Sequence, residues 1–379
     1  MAITYNMLEV QVDLKRIVDN YRFMRSRAAR LMPVIKADAY GHGLLPVAKA
    51  LAAAGADAFC VGSVGEAVTL RRERKPDSGC RVVSLLGPMD REDYAEAVSH
   101  EVTLLVGRHE QLELLQVAAS SAGRMAPVAL KFDTGMSRLG FSEADVPRLI
   151  QTLTTSPNLR LELVTSHLAT ADEDSGVDYV LAQAERFRAI TAKLSAAGLR
   201  FQANLANSAG ILAYPELHFD LQRPGIALYG SNPFLGTNHE ELGRPLKQAM
   251  SVTTRILDVH DLPRGGTISY GRTYTAPRDM RVAIMAAGYA DGYSRGLSNK
   301  GQVCLKGSRA PILGRVCMQL TAVDITGRED VHPGDTVHLL GGSGRGYISV
   351  EELAGWWGTI SYESFCILGL NRRVYFGGD

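Results

Sequence analysis

No Cys-x-x-Cys pair occurs in this chain, and its five cysteines, Cys60, Cys80, Cys304, Cys317 and Cys366, are an odd number. That speaks against a disulfide framework and against the usual zinc-ligand spacing, so reduced thiols and no metal site are expected. An excess of one charge is also missing: 41 Lys and Arg stand against 40 Asp and Glu, for a net charge of +1. Without a basic excess, neither nucleic acid nor an anionic membrane surface is an expected partner, and a small neutral or zwitterionic substrate fits better. There is no run of about 18 apolar residues. The opening MAITYNMLEVQVDLKR is too polar and acidic for a signal peptide, so the expected location is cytoplasmic. Low-complexity tracts and solenoid periods are absent as well.

What is present is a long, ordinary globular composition with 46% hydrophobic residues over 379 positions. That length exceeds what one core usually holds and predicts two domains, one of them a barrel of about 250 residues. The first 230 residues or so alternate short β-branched runs with longer amphipathic stretches, the pattern of parallel strands joined by helical crossovers. Eight strands are read at 33–36, 57–60, 81–85, 102–105, 128–132, 161–165, 201–204 and 225–228. Helical patterns lie between them at 13–30, 45–54, 63–72, 109–119, 143–153 and 179–197, the third opening on a Ser63/Glu66 capping box. The fold class read from this is α/β: a (β/α)8 barrel of the TIM type over 1–237, followed by a mostly β domain over 238–379. In that second part glycine and proline punctuate short runs at 249–258, 281–286, 302–305, 320–324 and 336–340, and the extreme amino-terminal strand could join it. GGSGRG at 341–346 lacks the Lys-Ser/Thr ending of a phosphate loop and reads as a tight hairpin turn.

In such barrels the functional residues sit just after strand ends. Lys36 closes the first strand, in MPVIKADAYGHG; Lys131 and Arg138 follow the fifth, His167 the sixth, Asn207 and Ser208 the seventh, and 223–226 mark the eighth. Taken alone, Lys36 reads as a strand-end lysine that snorkels to solvent. A lysine withdrawn from water is instead more readily neutral and nucleophilic, which is what Schiff-base lysines need. NSAG at 207–210 and PGI at 224–226 suit an anion, because their backbone amides can approach a phosphate closely.

These residues lie in recognisable segments. VIKADAYGHG resembles the cofactor-lysine segment of the alanine racemases, and KFDTGMSRLGF, SHLATAD, NLANSAG, RPGIALYG, ISYGRTYTA, GYADGYSR, GRVCM and TISYE resemble that family's other signatures in the same order across essentially the whole chain. The resemblance implies a pyridoxal 5′-phosphate enzyme, a barrel followed by a β domain, and a homodimer whose active sites are shared between chains. Lys36 would hold the cofactor as an internal aldimine and act as base for D-alanine. Tyr270, from the second subunit, would be the base for L-alanine on the opposite face, since racemisation removes a proton from one side and returns it to the other. A phenol with pKa near about 10 is a poor base. His167 with Arg223 would support its anion, and Arg223 would also keep the pyridine ring neutral, because a guanidinium cannot accept a proton.

By the same resemblance Tyr40, Asn207, Ser208, Gly225, Ile226 and Tyr362 would bind the cofactor with Lys36 and Arg223. Arg138 and the Met318 amide would meet the substrate carboxylate. Lys131 is a candidate for carbamylation, and Asp172, Tyr289, Arg295 and Arg315 would line the entrance with Tyr362. One departure stands out: after GRVCM the family usually continues Asp-Gln, whereas this chain has Gln319-Leu320. That bears on substrate orientation and strictness. The expected activity is interconversion of L- and D-alanine, supplying D-alanine for cell-wall peptidoglycan. The competing readings are a serine or broad-specificity racemase, a decarboxylase of a related barrel class, and a pyridoxal-phosphate carrier without turnover.

Overall fold

The computed structural model describes residues 7–73 and 79–378. The chain divides into two compact units: one comprises Ile17–Ala39 and Leu44–Leu246, the other the amino-terminal segment through Arg16, Tyr40–Gly43 and Lys247–Asp379. The barrel-side boundary thus lies at 246/247, where sequence texture places it at 237/238, and residue 238 is tied back to the barrel unit by its amide donating to the Asp174 carboxylate.

In the first unit six parallel strands, Ala58–Val61, Arg81–Ser84, Thr103–Val106, Ala126–Lys131, Leu159–Thr165 and Gln202–Asn204, pair in sequential order. Ala58–Val61 and Thr103–Val106 are buried along their whole length, as expected of parallel strands covered on both faces. Two less regular segments complete the eight. Residues 31–35 bond to the second strand (Ile35 N–H to Cys60 O, 2.8 Å) and to the last (Val34 N–H to Pro224 O, 2.8 Å). Residues 220–224 bond back to the seventh, with Arg223 N–H to Ala206 O at 3.0 Å. The barrel is therefore closed.

Two expectations need correction. The eighth strand is not 225–228, because Ile226–Tyr229 is a 3-10 turn and 220–224 takes the strand's place. Gly225 (φ −122°, ψ −93°) breaks the extended run, and the Tyr229 hydroxyl donates to Val34 O, so the apolar IALY turns back against the first strand segment. The first strand likewise does not reach 36: Lys36 opens a turn in which Ala37, Asp38, Ala39 and Tyr40 all have φ between 52° and 55°.

The second unit is built on the 13-residue strand Met250–Leu262. Its first half pairs antiparallel with Glu9–Asp13 and Thr336–Leu340, its second half with Met280–Met285, and irregularities at Ile284/Met285 and His338/Leu340 let it pass from one set of partners to the other. Gln302–Leu305, Ser308–Leu313 and Thr321–Asp324 complete the circuit, and Arg372–Phe376 lies parallel to Glu9–Asp13. Sequence texture misses Ser308–Leu313 and Arg372–Phe376. The GGSGRG segment does turn the chain, with Gly341 and Ile348 exchanging both backbone hydrogen bonds across a loop longer than a tight hairpin. Gly41, at φ 78°, is required where 40–43 passes the helix Ser361–Leu368: a Cβ there would lie 2.4 Å from Phe365 O. Among the described residues no disulfide forms, and no helix is long and apolar enough to cross a membrane.

Candidate functional site

At the carboxyl ends of the barrel strands the central feature is Arg223, only 6% exposed. Its guanidinium donates to Thr165 Oγ1, to Ser166 O at 2.6 Å and to His167 Nδ1 at 3.3 Å. Burial lowers its pKa to about 10, which leaves it charged at neutral pH. A guanidinium has no acceptor, so the bond to Nδ1 requires that nitrogen to be bare. Burial first, then the charges of Arg223, Lys131, Arg138 and Lys36, hold His167 well below its usual range. The imidazole is therefore neutral with its proton on Nε2.

Lys36 shares this neighbourhood. Both Lys36 and Arg223 act electrostatically on the buried Cys60 thiol, which burial nonetheless pushes up to about 12, so Cys60 is an inert packing group. The left-handed turn after Lys36 costs about 1–2 kcal/mol per non-glycine residue and must be held by its surroundings. Glu66 does this. One carboxylate oxygen accepts from Asp38 N–H at 2.9 Å, the other from Gly62 N–H at 2.7 Å, while Asp38 Oδ1 accepts from Leu44 N–H at 2.6 Å. Glu66 and Ser63 also form the expected capping box. That motif is legible in sequence; its second role is not.

Ser208 and the residues after Arg223 form an anion cradle. Ser208 is buried at the start of a short helix capped by Asn207, whose side chain accepts from Gly210 N–H at 2.9 Å. The amides of Gly225 and Ala227 converge on Ser208 Oγ at 2.9 and 3.3 Å, and the Ile226 amide lies between them in the chain. This set of hydroxyl and main-chain donors fits a phosphate dianion. Together with an amine at Lys36 and a non-accepting cation at Arg223, it fits pyridoxal phosphate.

Lys131 and Arg138 border a cavity of about 440 Å³ with Leu86, Leu105 and Leu139. Burial first, then the Arg223 and Arg138 charges, hold the Lys131 amine well below its usual value. Asp172 lies exposed in the loop after His167. Gln183 escaped sequence reading: fully buried on the helix Val177–Ala196, it donates to His167 O at 3.0 Å and accepts from Ala169 N–H at 2.9 Å, fixing the loop that carries the histidine. A lone glutamine on an amphipathic helix gives no signal of that kind.

The remaining expected residues belong to the β unit. Tyr40 and Tyr362 come together there, their ring centroids 6.0 Å apart. Tyr270 stands at the tip of a small hairpin formed by Thr267–Ile268 and Tyr274–Thr275 and is 71% exposed. Met318 is 58% exposed, followed by the exposed Gln319 and Leu320. Tyr289 is joined to that segment, its amide donating to Cys317 O at 3.0 Å and that of Ala290 to Met318 O at 2.9 Å. Arg315 lies under the Tyr270 turn: a Cβ on Gly271 would be 3.1 Å from its Nη1. Arg295 is exposed in a separate 3-10 turn, Arg295–Leu297. The backbone before Tyr270 is strained: Ser269 has φ 65° and ψ −177°, a glycine region that costs other residues about 1–3 kcal/mol.

Comparison with known proteins agrees with these features. Residues 12–233 match the family model for the alanine racemase N-terminal domain and residues 249–375 that for its C-terminal domain. The chain is 53% identical over 375 residues to an alanine racemase of Nitratidesulfovibrio vulgaris (strain Miyazaki F), covering 99% of this chain and 100% of that protein. Among solved structures it resembles alanine racemase from Streptomyces coelicolor A3(2) (TM-score 0.91, 37% identity, 97% of this chain and 98% of that one). It also resembles alanine racemase from Bartonella henselae with covalently bound pyridoxal phosphate (TM-score 0.86, 29% identity, 98% and 99% covered).

Proposed function

The chain belongs to the alanine racemase family, a pyridoxal-phosphate-dependent isomerase of L- and D-alanine, and we propose that Lys36 and Tyr270 divide the two proton transfers between them. Lys36 would hold the cofactor until the substrate amine displaces its own, and the group would then supply a conjugated ring able to delocalise the electron pair of the substrate Cα–H bond. Lys36 takes or returns the proton on the D face, and Tyr270 does so on the L face. The observation that supports the assignment best is Arg223, buried and donating to a bare His167 Nδ1. A cation with no acceptor would leave a pyridine nitrogen facing it unprotonated and the electron sink weak, which would disfavour side reactions such as transamination. The neutral His167 presents Nε2–H as a donor, able to stabilise a phenolate.

Ser208 and the amides of Gly225 and Ile226 would hold the phosphate, with Asn207 capping the helix on which Ser208 stands. The parts given to Tyr40 and Tyr362 in the same task rest on the family resemblance. Arg138 and the Met318 amide receive the substrate carboxylate, and Asp172, Tyr289, Arg295 and Arg315 restrict entry. A homodimer fits the outward presentation of Tyr270 and Met318, because a base 71% exposed on one chain is available to another. A cytoplasmic enzyme supplying D-alanine for peptidoglycan is the corresponding cellular role. The domain division that goes with this is a cofactor-binding barrel that runs to Leu246 and a β domain that begins at Lys247 and takes in the amino-terminal strand.

The depressed Lys131 amine is the form that adds to carbon dioxide, losing a proton to give a carbamate whose anion would orient Arg138. Protein incubated with ¹³C-bicarbonate is expected to show one carbamate carbonyl resonance that is absent from Lys131→Ala; no resonance, or one that survives the substitution, rejects it.

The substrate assignment is tested by racemisation rates with alanine, serine, lysine and arginine. Alanine is expected to lead. Serine should follow within about 10- to 200-fold, because small side-chain differences are worth only about 1–3 kcal/mol. A preference for serine or a basic amino acid would make this a different racemase. Release of carbon dioxide would point to a decarboxylase, and binding without exchange of the α-hydrogen in D₂O to a carrier.

A further inference from the structure

Ser269 occupies a backbone conformation suited to glycine, yet it carries a side chain, and that side chain is engaged. Its hydroxyl donates to Arg315 O at 2.6 Å and lies 3.3 Å from Cys317 Sγ. The acceptor segment is itself fixed. Gly314 N–H donates to Asn299 Oδ1 at 2.6 Å, Val316 N–H to Ser298 Oγ at 3.0 Å, and Cys317 N–H to Leu320 O at 2.9 Å. The two strands approach so closely that a Cβ on Gly314 would fall 2.9 Å from Ile268 O and 3.0 Å from Ser269 Cβ. The same segment receives the amides of Tyr289 and Ala290 through Cys317 O and Met318 O.

We infer that Ser269 is a positioning residue for Tyr270: its hydroxyl clamps the hairpin tip to the Arg315 carbonyl and so fixes the direction of the phenol. Glycine would adopt this backbone without strain, but it has no hydroxyl to hold the tip down. The segment 314–318 then serves as one anchor for two parts of the site, the Tyr270 phenol through Ser269 and the Met318 amide directly. The inference rests on Tyr270 being the base for the L face.

The test compares Ser269→Gly, Ser269→Ala and Tyr270→Phe as cofactor-loaded full-length proteins. Three quantities are read: pyridoxal absorbance, thermal midpoint, and α-deuterium exchange into L-alanine and into D-alanine in D₂O. Ser269→Gly is expected to keep the cofactor and to melt no lower than Ser269→Ala, because the strain is gone. Its L-alanine exchange should nonetheless fall by roughly 10- to 100-fold, the scale of a misplacement of about 1 Å, while D-alanine exchange falls less than threefold. A role confined to stability would make activity follow the thermal midpoint and would affect both enantiomers alike; that result overturns the inference. If Tyr270→Phe loses L-alanine exchange and Ser269→Gly does not, Ser269 is no clamp and the base assignment stands. Unchanged L-alanine exchange in Tyr270→Phe removes the base assignment, and the inference with it.

Discussion

Tyr270→Phe is expected to lower racemisation by about 10²–10⁴-fold, the usual contribution of a positioned acid or base, while the protein still exchanges the α-hydrogen of D-alanine with solvent. The asymmetry is the informative part. L- and D-alanine are mirror images, so their equilibrium constant is one and kcat/KM must fall equally in both directions whichever base is removed. Rates of racemisation therefore cannot say which face Tyr270 serves. Isotope exchange can, because exchange into one enantiomer needs only the base on that face. Phenylalanine keeps the ring and removes only the hydroxyl, and at a side chain 71% exposed the fold should tolerate it. Full-rate exchange into L-alanine by this variant would reject the two-base assignment.

Lys36→Ala is expected to lose the visible absorbance of lysine-bound pyridoxal and to reduce racemisation by more than Tyr270→Phe does. On the proposed assignment two functions go together: the covalent attachment of the cofactor and the proton transfer on the D face, itself worth about 10²–10⁴-fold. Its surroundings should survive the change, since Glu66, Asp38 and Leu44 hold the following turn through main-chain amides rather than through the lysine side chain. A variant that retained the absorbance and the rate would show that another amine carries the cofactor. Cys60 offers no substitute nucleophile, because burial keeps its thiol protonated.

Much of the site was legible in the chain because its chemistry needs particular residue types at strand ends. An amine after the first strand, a histidine after the sixth, an asparagine-serine pair after the seventh and an arginine before Pro-Gly all stand where a barrel exposes them. Their partners were less legible. Gln183 holds the His167 loop from a helix where its spacing looks ordinary, and the second bond of Glu66 crosses to another loop. IALY has the apolar, β-compatible composition of a strand and so predicts one at 225–228, whereas the backbone break at Gly225 makes the chain coil there. Arg372–Phe376 is not legible because RRVYF has no polar–apolar alternation, although its exposed and half-buried positions do alternate in the fold.

The kind of molecule is written in the chain: alternating strand and helix patterns, then a β-rich remainder, with nine segments that resemble one family's. The backbone geometry at the candidate site arises only on folding. Ala37, Asp38, Ala39 and Tyr40 form a left-handed turn, and Ser269 adopts a conformation suited to glycine, although no residue among them prefers such angles. Local sterics oppose these conformations by about 1–3 kcal/mol per non-glycine residue. They persist because distant groups over-determine them, Glu66 at the lysine turn and Arg315 O at the tyrosine turn. Bonds between residues 28 and 46 positions apart exist only once the chain has folded, so the sequence could name the two proposed bases but not how they are held.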